Sequence, residues 1–465
     1  MAKTGGTHDA ATRHDAPTRH DAPTRATRRG SRGATGQARR RTPKGKPVTG
    51  ATRLPAENAE KVRDVMRHSI IMLAVATLVL TVLGLVMVFS AVTPGAMRSA
   101  AAGATNTFRG VYLQIFYACV GIVVAAILSR FPIEFFRKSW AAFWAGALLL
   151  QCLVFSPLGV AVAGNRNWVA LGPIRMQPSE FLKLATIIAL AATLVNIRGA
   201  ASVNLLRREE WEDIKNWVWP IAIFLLSAGL VGLGHDMGTV LVFALFTAGM
   251  LWLAGMAWQW FAVGGLAGIL GTALAIAVSL SRLARVQDFF ENIFTLPAGG
   301  SPTQADYALW AFGSGGLGGS GLGTGIEKWP GNLAEAQTDF IFAVVGEELG
   351  FLGCAAVVIL FLMVGISLVR ICIHHPSRFA KLTVGGIALW LCGQALANML
   401  VVTSMLPVFG VPLPFMSQGG SSVISCLMAV GVAISAAFSV EGVRASFKQR
   451  PHLVKRVVSI VSKTR

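Results

Sequence analysis

The carboxylates with the clearest chemical potential lie at the start of a long apolar run in the last third of the chain. Asp339 follows Thr338 where the sequence changes from polar and glycine-rich to apolar, and Glu347 and Glu348 lie inside the apolar run. A carboxylate at such a boundary can act as a general base or bind a cation. It can equally be the N-cap of a helix, where Asp and Thr are favoured. The glutamate pair, about 12 Å deeper by helical rise, predicts either a structural hydrogen-bond node or part of an ion or substrate path.

Basic side chains occur in the polar segments that separate the apolar runs. Cations there suit an anionic ligand, because an Arg guanidinium matches phosphate with two parallel bonds. Each side chain could instead extend from a membrane interface into water. The set comprises Arg166, Arg175, Arg282, Arg285 and Lys328.

Two further polar segments precede apolar runs. In Gln177-Pro-Ser-Glu180, the pattern predicts a helix start with Glu180 and Lys183 at i,i+3, which indicates a local ion pair or a site for a ligand's phosphate or a metal ion. Ser421, in Gly419-Gly-Ser-Ser422, lies at a predicted helix N-terminus, which suits an anion or a tight turn with a cap. Asp236 is predicted to be a helix cap rather than a catalytic group.

The composition predicts that membrane-spanning helices position these residues. The chain has 465 residues, of which 54% are hydrophobic and 14% charged, whereas soluble domains have about 25% charged residues. A helix needs about 20 apolar residues to cross the hydrocarbon core of a bilayer. We therefore predict an all-α, polytopic membrane protein with ten transmembrane helices, at about 69–91, 111–129, 139–157, 179–197, 217–233, 237–255, 258–280, 339–369, 383–406 and 421–440.

The distribution of charge predicts the orientation of these helices. Residues 1–68 hold 16 Lys and Arg against 6 Asp and Glu, and residues 441–465 hold 7 against 1. By the positive-inside rule both termini are cytoplasmic. The long segment 281–338, between helices 7 and 8, is then a large extracytoplasmic loop.

The two ends of the chain are predicted to be tails of a central membrane domain, residues 69–440. The repeats beginning His8-Asp, His14-Asp and His20-Asp, with few apolar residues before about 53, predict that residues 1–68 form a disordered basic tail. Residues 441–465 form a second basic tail. Both tails could contact anionic membrane lipids or serve as topology signals, and their position beside membrane helices disfavours nucleic acid.

Several of these segments together resemble the SEDS family of cell-wall polymerases, whose members include FtsW, RodA and SpoVE. The string Thr338-Asp-Phe-Ile-Phe-Ala followed by Gly346-Glu-Glu-Leu-Gly350 is highly specific. The other matching segments are Gly164 to Lys183, Gly234 to Thr239, Arg282 to Arg285, Gln394 to Asn398 and Leu406 to Ser422. The resemblance covers nearly all of residues 69–440.

The resemblance implies peptidoglycan glycosyltransferase activity on lipid II at the outer face of the cell membrane. It implies a class B penicillin-binding protein as partner, and the form of the last matching segment favours the division member, with other divisome proteins and the septum as context. Asp339 matches the catalytic aspartate. The candidate substrate-binding residues are Arg166, Trp168, Arg175, Glu180, Lys183, Arg282, Arg285, Lys328, Glu335 and Ser421.

The predicted mechanism is removal of a proton by Asp339 from the acceptor sugar hydroxyl, which attacks the donor's anomeric carbon and inverts it. The cations would stabilise the undecaprenyl diphosphate that leaves, with Mg²⁺ or Mn²⁺ as a further aid. Two alternatives remain at this point. The chain could be a flippase that moves lipid II across the membrane, or a scaffold without catalysis that recruits the transpeptidase.

Overall fold

The computed structural model describes the central part of the chain and omits both ends and several internal segments. The described residues are 56–105, 107–162, 165–172, 174–197, 211–277, 283–284, 287, 290 and 302–448.

Helices dominate the described residues. They are α1 Ala56–Ala101, α2 Arg109–Leu128, α3 Ile133–Cys152, α4 Pro178–Leu194, α5 Trp211–Leu233, α6 Met237–Ala254, α7 Trp258–Ala277, α8 Gln304–Gly315, α9 Ile341–His374, α10 Arg378–Val402, α11 Gly420–Phe438 and α12 Val443–Lys448. A short 3-10 helix, Leu153–Phe155, extends α3.

The predicted polytopic membrane fold is confirmed. All ten predicted spans fall on helices of the structure, with offsets of several residues. Among the described residues, eight helices are long and apolar enough to cross a membrane. The other two are shorter: α4 has 17 residues, and the apolar part of α7 is Trp258–Leu274. The count of ten spans therefore stays a prediction.

The centre of the bundle is built from α4, α10 and α11. Nearly every side chain of α4 is buried, and the most apolar windows of α11 and α10 are 78% and 56% buried. Around them, α3 packs on α4, α2 on α11, and α1 along α9. Many large apolar side chains of α1, α2, α5 and α9 are exposed on the outside of the bundle. Lipid tails are as apolar as these side chains, so their exposure to lipid carries no penalty.

A small antiparallel sheet, which was not predicted from the sequence, connects α3 to α4. Its strands are β1 Gly159–Val162, β2 Asn165–Leu171 and β3 Ile174–Met176, in that order. The side chain of Val169 in β2 is fully buried. The backbone N–H of Arg166 donates to the carbonyl of Gly234 at 3.0 Å, which fixes the sheet to the turn between α5 and α6.

Two predicted boundaries need correction. Residues 56–68, which we assigned to the disordered tail, belong to α1, and residues 443–448 of the C-terminal tail form α12. The side chains of these two elements meet, since the Arg67 guanidinium lies 5.9 Å from the centre of the Phe447 ring. The predicted disorder of residues 1–55 and the tail beyond residue 448 lie outside the described residues.

The described second half of the predicted extracytoplasmic loop 281–338 lies between α7 and α9 in the chain and contributes buried residues to the core of the bundle. It begins with α8 and continues as a glycine-rich segment that packs against α9. α9 itself is interrupted at Gly350, whose φ of 67° and ψ of −163° are not helical. Glycine tolerates this conformation because it has no Cβ.

His375, in the turn between α9 and α10, predicts a pH dependence of stability. Its Nδ1 accepts a bond from the Ser377 N–H at 3.0 Å, and its Nε2 lies 3.0 Å from the carbonyl of Ala436. Burial is the main cause that lowers the pKa of His375 below its ordinary value of 6.5. The unfolded chain therefore binds this proton more readily than the folded one. The contribution of His375 to stability is fully present above about pH 6.5, and the free energy of unfolding falls as the pH decreases through that value.

Thermal unfolding in detergent between pH 8 and pH 5 measures this effect. His375→Gln should weaken the dependence, whereas His374→Gln, at the exposed neighbouring position, should retain it. Equal pH profiles for wild type and His375→Gln would contradict the assignment.

Candidate functional site

Asp339 lies in a turn just before α9, with its side chain partly exposed. Phe340 occupies the N-cap position of α9 and the helix begins at Ile341. The N-cap role that we considered for Asp339 therefore falls one residue too early. The amide of Asn398 holds this turn, because its Nδ2 donates to the carbonyl of Asp339 at 2.7 Å and to that of Val411 at 2.7 Å.

The Asp339 carboxylate faces the segment between α10 and α11. A Cβ placed on Gly410 would lie 3.5 Å from Oδ2 of Asp339. On its other side this segment touches the start of α6, where a Cβ on Gly238 would lie 2.3 Å from the carbonyl oxygen of Phe409. Hence the segment lies between the carboxylate and the N-terminus of α6, and any side chain at Gly238 would displace it.

The end of the same segment fixes the residues before Asp339. The hydroxyl of Ser417 donates to the carbonyl of Thr338 at 2.6 Å, and the N–H of Gln418 donates to the carbonyl of Gln337 at 2.8 Å. Gln114 of α2 holds the segment in turn, since its side-chain amide nitrogen, Nε2, donates to the carbonyl of Ser417 at 3.2 Å. The turn that carries Asp339 is thus bonded from two sides.

The carboxylate of Asp236 connects the sheet, the start of α4 and the start of α6 through hydrogen bonds. It is the N-cap of α6, and its Oδ1 accepts from the N–H of Thr239 at 3.0 Å, which confirms the predicted capping role. Its Oδ2 accepts from Asn167 at 3.2 Å and from the Gln177 side chain at 2.8 Å. The N–H of Gln177 donates to the hydroxyl of Ser421 at 3.1 Å. Ser421 is therefore engaged with the start of α4 in this structure.

Three of the predicted ligand-binding residues lie on the sheet. Arg166 and Arg175 are exposed, and Trp168 is half-buried opposite Val160. The Arg166 guanidinium donates to the carbonyl of Ser156 at 3.0 Å through Nη2. Both arginines are thus at the surface of the same end of the bundle as Asp339. Arg282 and Arg285 lie outside the described residues.

Glu180 and Lys183 are in the interior, each with 1% of its surface exposed. The ammonium group of Lys183 donates to Glu180 at 2.9 Å and to Oε1 of Gln394 at 3.0 Å, and it lies 5.0 Å from the centre of the Trp390 ring. The predicted local ion pair is confirmed. The pair is enclosed by protein, and its predicted contact with a ligand's phosphate or a metal ion stays a prediction. Through Gln394, whose Nε2 donates to the carbonyl of Pro412 at 2.8 Å, the pair supports the segment that faces Asp339.

Lys328 is also buried, and its ammonium group bonds Glu348 and the Ser90 hydroxyl. The prediction that Lys328 binds an anionic ligand is therefore not supported by its position. Glu347 accepts the backbone N–H groups of Ile326 and Glu327. Glu347 and Glu348 therefore form a structural hydrogen-bond node, which is one of the two roles predicted for this pair.

Two acidic residues flank this node at the surface. Burial, followed by the charge of Glu347, raises the pKa of the half-buried Glu327. Glu335 is exposed, with a left-handed φ of 58°, and its carboxylate accepts from the Thr338 hydroxyl at 2.7 Å. Of the predicted substrate-binding residues, Glu335 lies nearest to Asp339 along the chain and is open to a ligand.

Two buried amides that organise the site were not among the predicted site residues. Asn398 and Gln394 are buried in α10 four residues apart, and residues at that spacing lie on one face of a helix. Buried amides in an otherwise apolar helix need partners. Their spacing was a signal that this face of α10 bonds to an irregular segment.

A metal site made of protein ligands alone is absent from the described part of the chain, where no group of three or more His, Cys, Asp or Glu side chains could hold an ion. Chemically, the arrangement offers a partly exposed carboxylate held by backbone contacts, with exposed guanidinium groups at the same end of the bundle. Such a site could deprotonate a hydroxyl group on a ligand that carries phosphate.

Comparisons with known proteins give relatives across most of the chain. A family model of FtsW, RodA and SpoVE, described as "Cell cycle protein", matches residues 70–441. The chain is 35% identical to the probable peptidoglycan glycosyltransferase FtsW of Escherichia coli O157:H7, over 66% of this chain and 72% of the relative. It is also 35% identical to the protein of that name from Idiomarina loihiensis, over 78% of this chain and 85% of the relative.

Solved structures share the fold. A chain from a study of structural coordination of polymerization and crosslinking by a peptidoglycan synthase complex has a TM-score of 0.62 and 25% identity, and the match covers 79% of this chain and 97% of that one. The rod shape determining protein RodA of Thermus thermophilus has a TM-score of 0.55 and 24% identity, over 79% of this chain and 96% of RodA.

Proposed function

Because the chain belongs to the family of cell cycle proteins that comprises FtsW, RodA and SpoVE, we propose that it is a peptidoglycan glycosyltransferase that polymerises lipid II. Relatives that are 35% identical carry this activity in their names. The observation that carries the proposal is the partly exposed Asp339, whose backbone carbonyl is held by Asn398 at the end of the bundle where Arg166 and Arg175 are exposed.

The reaction assigns one role to each group. Asp339 accepts the proton of the acceptor's N-acetylglucosamine 4-hydroxyl as that oxygen attacks the anomeric carbon of the donor. The new β-1,4 bond forms as the bond to the diphosphate breaks, and undecaprenyl diphosphate leaves with the electron pair. The leaving group is already an anion, so it needs stabilisation of its charge more than a proton.

The exposed arginines are the proposed partners of the diphosphate. Arg166 and Arg175 are on the sheet, close to the water-accessible end of the bundle. A divalent cation, Mg²⁺ or Mn²⁺, would supply further charge stabilisation. Since the described residues hold no cluster of ligands for a metal, such an ion would take part of its ligands from the diphosphate itself.

The charge of the two tails and the similarity to related proteins support a proposal for the cellular setting. The excess of Lys and Arg in both tails supports cytoplasmic termini, and with ten spans the Asp339 end of the bundle is then outside, where lipid II and the growing strand meet. A related chain comes from a peptidoglycan synthase complex that polymerises and crosslinks, which supports a class B penicillin-binding protein as partner. The similarity to proteins named FtsW supports a place at the division septum with other divisome proteins.

Polymerisation by purified components tests the proposal. The full-length protein and its partner, mixed with lipid II, should yield glycan strands that separate by length on a gel. A flippase would move lipid II between the leaflets of a vesicle and yield no strands. A scaffold would yield strands only when another polymerase is added, and either result would overturn the proposed activity.

A further inference from the structure

The interruption of α9 is filled by backbone from the glycine-rich segment that follows α8. The carbonyls of Glu347 and Glu348 accept from the N–H groups of Ser320 and Gly321 at 2.9 and 3.0 Å. Beyond Gly350 the N–H groups of Phe351 and Leu352 donate to the carbonyls of Gly316 and Leu317 at 2.9 and 3.1 Å. The segment thus supplies hydrogen-bond partners for the backbone groups that lack helical bonds around Gly350.

Close approach of two backbones makes this insertion possible. A Cβ on Gly315 would lie 1.9 Å from the carbonyl oxygen of Gly346, and one on Gly319 would lie 2.1 Å from that of Glu348. No side chain fits at either distance. The glycines therefore allow the segment to pack closely against α9.

A buried ion pair fixes the end of the inserted segment. Glu348 accepts from the Gly323 N–H at 3.1 Å, from the Ser90 hydroxyl at 2.7 and 2.8 Å, and from the ammonium group of Lys328. The side chains of Lys328 and Glu348 are 1% and 0% exposed. The pair ties three elements together: α1 through Ser90, α9 through Glu348, and the segment through Lys328.

The chain from Lys328 to Asp339 is short and has its own internal bonds. The N–H of Leu333 donates to the carbonyl of Glu327 at 3.0 Å, and the N–H of Thr338 donates to that of Glu335 at 3.0 Å. Leu333 is buried in the bundle. This internally bonded segment therefore connects the buried Lys328–Glu348 pair to the turn that carries Asp339.

We propose that Lys328 and Glu348 are positioning residues for the reaction, whose buried pair holds residues 326–338 so that the Asp339 carboxylate is presented beside Gly410. This inference rests on the proposed function, because it assumes that Asp339 is the base. It assigns a role in catalysis to two residues that lie too deep to touch the substrate.

The test separates stability from positioning by comparing a single and a double variant. Lys328→Met leaves a buried carboxylate without its cation, so stability and activity should both fall. Lys328→Met combined with Glu348→Gln removes both charges, so the melting temperature should return close to that of wild type. The double variant should nevertheless keep a kcat about tenfold below wild type with KM for lipid II changed less than about twofold, because misplacement of about 1 Å costs up to a hundredfold.

Hydrogen exchange of the full-length protein gives a readout that does not depend on activity. Peptides covering residues 326–338 should exchange faster in the double variant than in wild type, since the buried pair no longer fixes them. Lys138→Met, which removes an exposed lysine of α3, is the matched control and should behave as wild type in all three measurements.

Two results would overturn the inference: kcat and melting temperature that recover together in the double variant, or unchanged exchange of residues 326–338. An Asp339→Asn variant run in parallel separates this failure from that of the proposed function. If that variant polymerises lipid II at the wild-type rate, Asp339 is not the base and the catalytic part of the inference fails with it. The exchange measurement still decides whether the pair holds the segment.

Discussion

Asp339→Asn is expected to lower the rate of lipid II polymerisation by about 10²–10⁴-fold, the range that general base catalysis contributes. Asparagine keeps the shape of the side chain but cannot accept the hydroxyl proton. The contacts that hold the turn use the carbonyl of Asp339, which bonds Asn398, and they survive the substitution. The fold should thus be preserved, and the loss should appear in kcat more than in KM. Strand length on gels and initial rates with purified lipid II measure it.

The control for this prediction is a carboxylate far from the site. Glu441→Gln, at an exposed position beyond α11, makes the same change of acid to amide and should leave the rate unchanged. An Asp339→Asn protein that melts like wild type and polymerises within about threefold of its rate would exclude base catalysis by this residue. The proposed catalysis would then rest on stabilisation of the diphosphate's charge by the exposed arginines and a divalent cation.

The helices were predictable because their signal is local. Each apolar run of about 20 residues must form a helix in a bilayer to satisfy its own backbone, so the ten predicted spans fall on helices without any knowledge of packing. The position of Asp339 at the mouth of α9 was predictable on the same basis. The single-residue error in its capping role reflects the ordinary uncertainty of helix boundaries.

The contacts that build the site are not local, and the sequence pattern does not contain them. Ser90 and Glu348 are separated by 258 positions in the chain, yet both bond the ammonium group of Lys328, which is buried rather than at the surface. Lys328 was therefore predicted to bind a ligand on the basis of its segment alone. The small sheet was missed for a related reason, since its short strands have few residues to show an alternating pattern.

Lys183→Met is expected to destabilise the protein by about 3–5 kcal/mol, the usual cost of removing one partner from a buried ion pair. Lys183 is held by Glu180 at 2.9 Å and Gln394 at 3.0 Å. Without Lys183, the Glu180 carboxylate is buried with its charge uncompensated. Oε1 of Gln394, which accepts from both Lys183 and Trp390, loses the first of these two donors. Chemical unfolding in detergent, followed by tryptophan fluorescence, measures the change.

The chain offers a matched pair at the same spacing as a control. Glu134 and Arg137 also form an i,i+3 ion pair, at 3.3 Å, but each side chain is 49% exposed. Water screens that pair, so Arg137→Met should cost at most about 1 kcal/mol. Glu180→Gln combined with Lys183→Met should recover most of the loss, because no charge is then left alone in the interior. If Lys183→Met and Arg137→Met lose equal stability, burial is not the reason that the Glu180–Lys183 pair is important. Packing, rather than the ion pair, would then support the segment beside Asp339.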